Sequence, residues 1–273
     1  MVNGYVPQTL AEALEMKGRE QVTPYGGGTD LMVEHHRTGT YLFLHRISEM
    51  QQIVQDDTYL RLGAACTFTQ VQEHTLTPPI LKEAIGRIAA PAIRNLGTIG
   101  GNIGNGSAKA DSALIFFALD AKLRLMSADG ERIVPIQSFY KGRKALDLAP
   151  DELIVEILLP RVTPERYVYH KVGARAALAI SRLSFAGLWS VEDGIITACA
   201  TAFGAIDQVV VRTPEVDQIL IGTPVAELDS VKARYLAAAD EAINPIAGRI
   251  SAQYRKTVCM NLLEDFVERT KGR

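Results

Sequence analysis

At 273 residues and 47% hydrophobic, the chain is long enough for a sizeable core and for two or three domains. Its formal net charge of −2 lacks the basic excess that a nucleic-acid-binding surface needs. No segment approaches about 18 consecutive apolar residues, so no membrane span is expected. The N-terminal stretch MVNGYVPQTLAEALEMKGREQ has no basic region leading into an apolar run. The expected compartment is therefore the cytoplasm. Cys66, Cys199 and Cys259 are far apart and form no CxxC pair. Neither a zinc site nor a cysteine-bound iron–sulfur cluster is readable in them, and reduced structural thiols are the expectation.

In chain order, PQTLAEALEMK predicts a helix capped by Thr9, with Glu12 three residues on to complete a capping box. EQVTPY predicts a strand that runs straight into Gly26, Gly27 and Gly28. TDLMVEHHR predicts a helix and YLFLHRI a strand, the outline of a small parallel βαβ unit. YLRLGAACTF opens a second region, followed by a helix over Pro79–Ala90 that Pro91 stops. The stretch TIGGNIGNGSAKAD then packs Gly100, Gly101, Gly104 and Gly106 between Thr98 and Asp111, and an apolar helix starts near Asp111. AKLRLMS, ERIVPI and ELIVEILLP predict strands, the first two joined at Asp129-Gly130. Pro160 and Pro164 mark a boundary. Beyond it YVYHKVG, ISRLSFAGLWSVE and IITACATAFGAI predict strands, with a turn at Asp193-Gly194, and two helices close the chain. Strands followed by helices predict α+β packing, a sheet with helices on one face.

The two glycine runs share a design, since each follows the end of one element and leads into a helix start. Glycine lets backbone approach a ligand without a Cβ clash, and helix N-termini favour anions. Such loops serve either as tight turns or as a seat for the two phosphates of a dinucleotide. Gly26-Gly27-Gly28-Thr29-Asp30-Leu31 does not supply G-x-G-x-x-G, because its last position is leucine. Gly101 and Gly106 have P-loop spacing, but Ser107 stands where that loop needs lysine. Asp111 either caps its helix or accepts hydrogen bonds from a nucleotide. His35 and His36 point about 100° apart on a helix and make poor joint metal ligands, and with His45 they read as solvated. No nucleophile–base constellation stands out, so an enzyme of this sequence would draw its reactivity from a cofactor.

Three segments, YGGGTDLM (Tyr25–Met32), IRNLGTIGGNIGNGSAKADSA (Ile93–Ala113) and YHKVGARAALAIS (Tyr169–Ser181), occur in an order that resembles the FAD-binding medium subunits of molybdenum hydroxylases, such as xanthine, nicotinate and carbon monoxide dehydrogenases. The family's first loop reads A-G-G-T-D-L and its second T-I-G-G-N, with an Asp nine residues beyond the Asn; Asn102 and Asp111 keep that spacing, while Gly26 replaces the usual alanine. The resemblance covers nearly the whole chain. It implies a two-lobed FAD-binding domain of the vanillyl-alcohol-oxidase type, divided at 1–54 and 55–162, and an α+β C-terminal domain over 163–273.

By the same resemblance, Pro24, Tyr25, Gly26, Gly27, Gly28, Thr29, Asp30 and Leu31 would form one half of an FAD pyrophosphate seat. Thr98, Ile99, Gly100, Gly101 and Asn102 would form the other, continued by Gly104 and Asn105. Backbone N–H groups would make the contacts, with help from the side chains of Thr29, Thr98 and Asn102. Asp111 would hold the adenosine end, Ile154 would pack on the isoalloxazine ring, and Lys171 would lie near the flavin. The implied activity is electron transfer from [2Fe–2S] clusters on a partner subunit, through FAD, to NAD⁺ or NADP⁺. Substrate hydroxylation would occur at a molybdopterin subunit. A cofactor-free scaffolding subunit and a stand-alone flavin oxidase are the alternative readings.

Overall fold

The computed structural model describes residues 3–33, 39–175 and 178–272. The chain divides into two compact units, Met1–Ser107 with Asp120–Arg161, and Ala108–Leu119 with Val162–Arg273.

The first unit holds two larger sheets. In the smaller one, Thr40–Phe43 lies between Asn3–Tyr5 and Val22–Tyr25 and is parallel to both, the parallel arrangement expected of the N-terminal pattern. Helix Leu10–Arg19 connects the outer strands. Thr9 caps it, its hydroxyl accepting from Glu12 N at 3.2 Å. The Glu12 carboxylate takes the N–H of Gln8 at 2.7 Å instead of that of Thr9, so the expected capping box is shifted by one donor. After the glycine run the chain coils into a turn, with Met32 N donating to Gly28 O at 2.9 Å. The remainder of the helix expected over TDLMVEHHR, including His35 and His36, lies outside the described residues.

The larger sheet is antiparallel, in the order Ile53–Gln55, Tyr59–Gly63, Leu153–Pro160, Lys122–Ser127, Gly130–Pro135. Its central strand, LIVEILLP, is buried at six of eight positions, the nearly continuous apolar run of a strand covered on both faces. The register slips between Ile154 and Glu156, and such a bulge re-aims the side chains beside it. Ser127 pairs with Gly130, so the hairpin turns at Ala128-Asp129, one residue ahead of the expected Asp-Gly. The helix expected over Pro79–Ala90 stops at Gly86, and Pro91 opens a separate short helix, Pro91–Arg94, where its missing N–H costs nothing.

In the second unit, Arg166–Val172, Leu183–Glu192, Ile195–Gly204 and Val211–Arg212 form an antiparallel meander. Asp193 (φ +50°) and Gly194 (φ +78°) make its two-residue hairpin turn, as their sequence predicts. Helices Leu228–Ala242 and Ala252–Lys271 bring Tyr235, Ala239, Cys259, Leu263 and Phe266 into one core with Phe185, Trp189 and Phe203. Gly187 is glycine because a Cβ there would stand 2.6 Å from the Phe266 ring. Helix Asp111–Ala118 is buried at every position and packs on the two long strands, so an all-round apolar sequence suits it. The α+β expectation holds.

Candidate functional site: a glycine-walled cavity

The loop after Val22–Tyr25 is made of glycine because neighbouring side-chain and backbone atoms crowd it. A Cβ on Gly26 would stand 2.4 Å from Thr98 Oγ1, and one on Gly27 would stand 1.7 Å from Leu96 O. Gly28 has φ +67°, a conformation glycine adopts at little cost. The two glycine runs are therefore pressed together, and the Asn105 side-chain amide donates to Asp30 to tie them further. Among the described residues, the backbone N–H groups of Gly26 to Leu31 have no protein acceptor. The residues other than Asp30 are half-buried, and donors without a protein partner favour an acceptor from outside the protein.

The second run behaves differently. It forms a short helix, Ile99–Gly104, whose N-cap Thr98 accepts from Gly101 N at 3.1 Å. Ile99 N donates to Cys66 O at 3.0 Å, Gly100 N to Ala64 O at 2.9 Å, and Asn102 N to Thr98 O at 3.0 Å. Each of the four N–H groups at this terminus is already used within the protein. What the segment offers is surface and room rather than donors.

Between the runs lies a cavity of about 320 Å³, lined wholly by the first unit. Pro24, Gly26 to Leu31, Thr98, Gly100, Gly101, Asn102, Gly104 and Asn105 line it, together with an apolar wall that includes Leu44, Met50, Phe68, Leu148, Leu153 and Ile154. Ile154 is 8% exposed, and a Cβ on Gly104 would lie 3.8 Å from its Cδ1. Of the sequence-derived residues of this unit, Tyr25 and Ile99 are not among the lining. Tyr25 packs its ring edge-on to Tyr41 and against Phe43, and Ile99 is fully buried.

Asp111 and Lys171 both belong to the second unit, where they meet each other. Lys171 Nζ lies 2.7 Å from Asp111 Oδ2, and Ser181 Oγ donates to Asp111 Oδ1 at 2.6 Å. Asp111 is the first residue of its helix; the N-cap is Ala110, so the carboxylate serves the ion pair and not a cap. His45 is exposed, and among the described residues no group of three His, Cys, Asp or Glu side chains is placed to hold a metal.

Among the lining residues that sequence reasoning missed are Ala64, Ala65, Phe68, Leu148 and Glu152. Ala64 is small because a Cβ on Gly100 would already stand 2.5 Å from its Cβ, a closeness visible only in the fold. Glu152 opens the predicted strand ELIVEILLP, behind the stretch D-L-A-P-D, and nothing in that sequence points to a ligand site.

Residues 1–162 match the family model of the FAD binding domain in molybdopterin dehydrogenase, and residues 168–270 that of the CO dehydrogenase flavoprotein C-terminal domain. The chain belongs to the FAD-binding subunits of the molybdenum hydroxylases. It is 31% identical to a xanthine dehydrogenase FAD-binding subunit of Escherichia coli O157:H7, over 96% of this chain and 91% of that one. It is 26% identical to the nicotinate dehydrogenase FAD-subunit of Eubacterium barkeri, over 98% and 97%. A chain of the reconstituted CO dehydrogenase from Oligotropha carboxidovorans superposes with a TM-score of 0.89 at 26% identity, covering 100% of this chain and 98% of that one. The protein is thus an oxidoreductase subunit, and its N-terminal domain is of the FAD-binding type.

The residues present fit that cofactor. A pyrophosphate needs donors that the protein has not spent, and the Gly26–Leu31 loop has them. A flavin ring needs a dry wall, which Leu148, Leu153 and Ile154 supply. Gly104 leaves space where a side chain would stand.

Proposed function

We propose that this chain is the electron-transfer subunit of its complex, taking electrons from [2Fe–2S] clusters on an iron–sulfur partner and delivering them to NAD⁺ or NADP⁺. A third subunit would carry the molybdopterin cofactor and hydroxylate the substrate. FAD, when bound, exchanges single electrons for a hydride. The residues of the chain bind and orient it. The Gly26–Leu31 amides hold the pyrophosphate, the Ile99–Asn105 segment gives it room, and the Ile154 wall excludes water. Asp111 and Lys171, which pair with each other in the second unit, are proposed as further cofactor contacts. With no helix among the described residues long and apolar enough to cross a membrane, and three unbridged cysteines, the cytoplasm is the proposed compartment.

One observation carries this reading: unspent donors and an apolar wall face a single cavity in a domain of the FAD-binding type. Denaturing the purified complex and measuring released flavin tests it. One FAD per copy of this chain is expected, and a flavin-free complex would overturn it in favour of a scaffolding role. Mixing the substrate-reduced complex anaerobically with NAD⁺ or NADP⁺ tests the acceptor. Flavin reoxidation is expected, and oxidation by oxygen alone would point to an oxidase.

A further inference from the structure

One wall of the cavity is a loop with the composition of a surface turn, residues 147–152 (D-L-A-P-D-E). Leu148 and Glu152 line the cavity from this loop, and Leu153 and Ile154 follow directly. A single side chain closes both of its ends. Arg132 Nε donates to Glu152 Oε1 at 2.6 Å and Nη2 to Glu152 Oε2 at 2.8 Å. The same guanidinium donates to Asp147 O at 2.8 Å and to Asp147 Oδ2 at 3.2 Å. Ala149 N completes the Glu152 carboxylate at 2.8 Å. Arg132 comes from the edge strand Gly130–Pro135, and Lys122–Ser127 separates that strand from Leu153–Pro160. Arg132 pairs with Leu125, which pairs with Ile154, so the three stand in one row across the sheet.

Resting on the reading that Ile154 meets the flavin, we propose that Arg132 is a positioning residue for the cofactor. Its guanidinium buckles loop 147–152 so that Leu148, Leu153 and Ile154 form the wall on which the ring system packs. The planar fork is essential, because a lysine ammonium is a point charge that cannot span two carboxylates and a carbonyl in fixed geometry. Hydrogen bonding from Arg132 is the main cause that lowers the Glu152 pKa below the usual carboxylate range. A group so lowered keeps its interaction above the ordinary carboxylate range and loses it as pH falls through the folded value. Facing Glu152 are Arg132 and Asp147, with Asp151 on the loop itself and Lys17 donating to Pro150 O.

The test is titration of the whole 273-residue chain with FAD, followed by flavin fluorescence and absorption from pH 8 to pH 4. Wild-type affinity should stay level down to the bottom of the carboxylate range. Arg132→Lys should bind FAD about tenfold more weakly, the order expected for losing charged hydrogen bonds. Its affinity should also begin to fall at higher pH, and the vibronic structure of the flavin band should flatten. Asp147→Asn, which leaves the Arg132–Glu152 fork in place, should show a smaller loss and no change in pH profile, and serves if Arg132→Lys does not fold. Arg124→Lys, on a neighbouring strand and paired with Glu131 and Glu156, should match wild type. Wild-type affinity, pH profile and spectrum in Arg132→Lys would overturn the positioning role while leaving FAD binding intact. A wild-type chain that binds no FAD would remove the underlying reading and the proposal with it.

Discussion

Glycines in this site are not interchangeable, and the difference is visible atom by atom. At Gly27 a Cβ would run into a backbone carbonyl, Leu96 O at 1.7 Å, which cannot swing aside. At Gly104 the nearest atom would be Ile154 Cδ1 at an ordinary 3.8 Å. Gly27→Ala should therefore destabilise the first unit by about 1–3 kcal/mol or more through overpacking. Gly104→Ala should leave melting unchanged and weaken FAD binding, because its methyl group occupies cofactor space. Thermal melting of the FAD-free chain beside FAD titration separates the two. A Gly104→Ala chain that melts early, or that binds FAD as wild type does, contradicts the assignment. Gly101 is a poorer probe of cofactor space than its sequence position suggests. A Cβ there would meet Thr98 Oγ1 at 2.9 Å, so a valine would disturb the cap as well as the cavity.

At the level of elements, the two glycine runs look equivalent in sequence and divide their labour in the fold. The amides of Gly26–Leu31 have no protein acceptor among the described residues, whereas those of Ile99–Asn102 are all bonded internally. Hydrogen exchange should expose this asymmetry. Adding FAD should slow exchange strongly at 26–31 and much less at 99–102, where protection exists beforehand. Equal new protection in both runs would show that the second also opens its donors to the phosphates. The strands, the closing helices and the glycine runs were legible because their cause is local: alternation, caps and the backbone freedom of glycine. The donors of Ile99 and Gly100 were not, because Cys66 O and Ala64 O come from the turn after strand Tyr59–Gly63, more than thirty residues upstream. Nor was the pairing of Asp111 with Lys171, sixty residues apart, which only the packing of helix Asp111–Ala118 on its sheet creates. Glu152 stayed hidden for the same reason, since its partner Arg132 reaches it across an intervening strand.

For the molecule as a whole, the distribution of thiols decides how its redox chemistry can work. Cys66, Cys199 and Cys259 are all buried and unbridged. Burial pushes the Cys66 thiol up to about 11 and the Cys259 thiol up to about 12, and raises Cys199 well above its ordinary value. Only the thiolate ligates iron or attacks a substrate, so at neutral pH these groups act as small apolar side chains of the two cores. That agrees with the proposed route, in which electrons enter from a cluster on another chain and the flavin is the redox group of this one. A chromogenic disulfide reagent at pH 8 should find almost no reactive thiol in the native chain and all three after denaturation. One thiol reacting rapidly in the native state would contradict this. It would place a thiolate at the surface, where a cluster ligand or a redox-sensing group could operate on this chain itself.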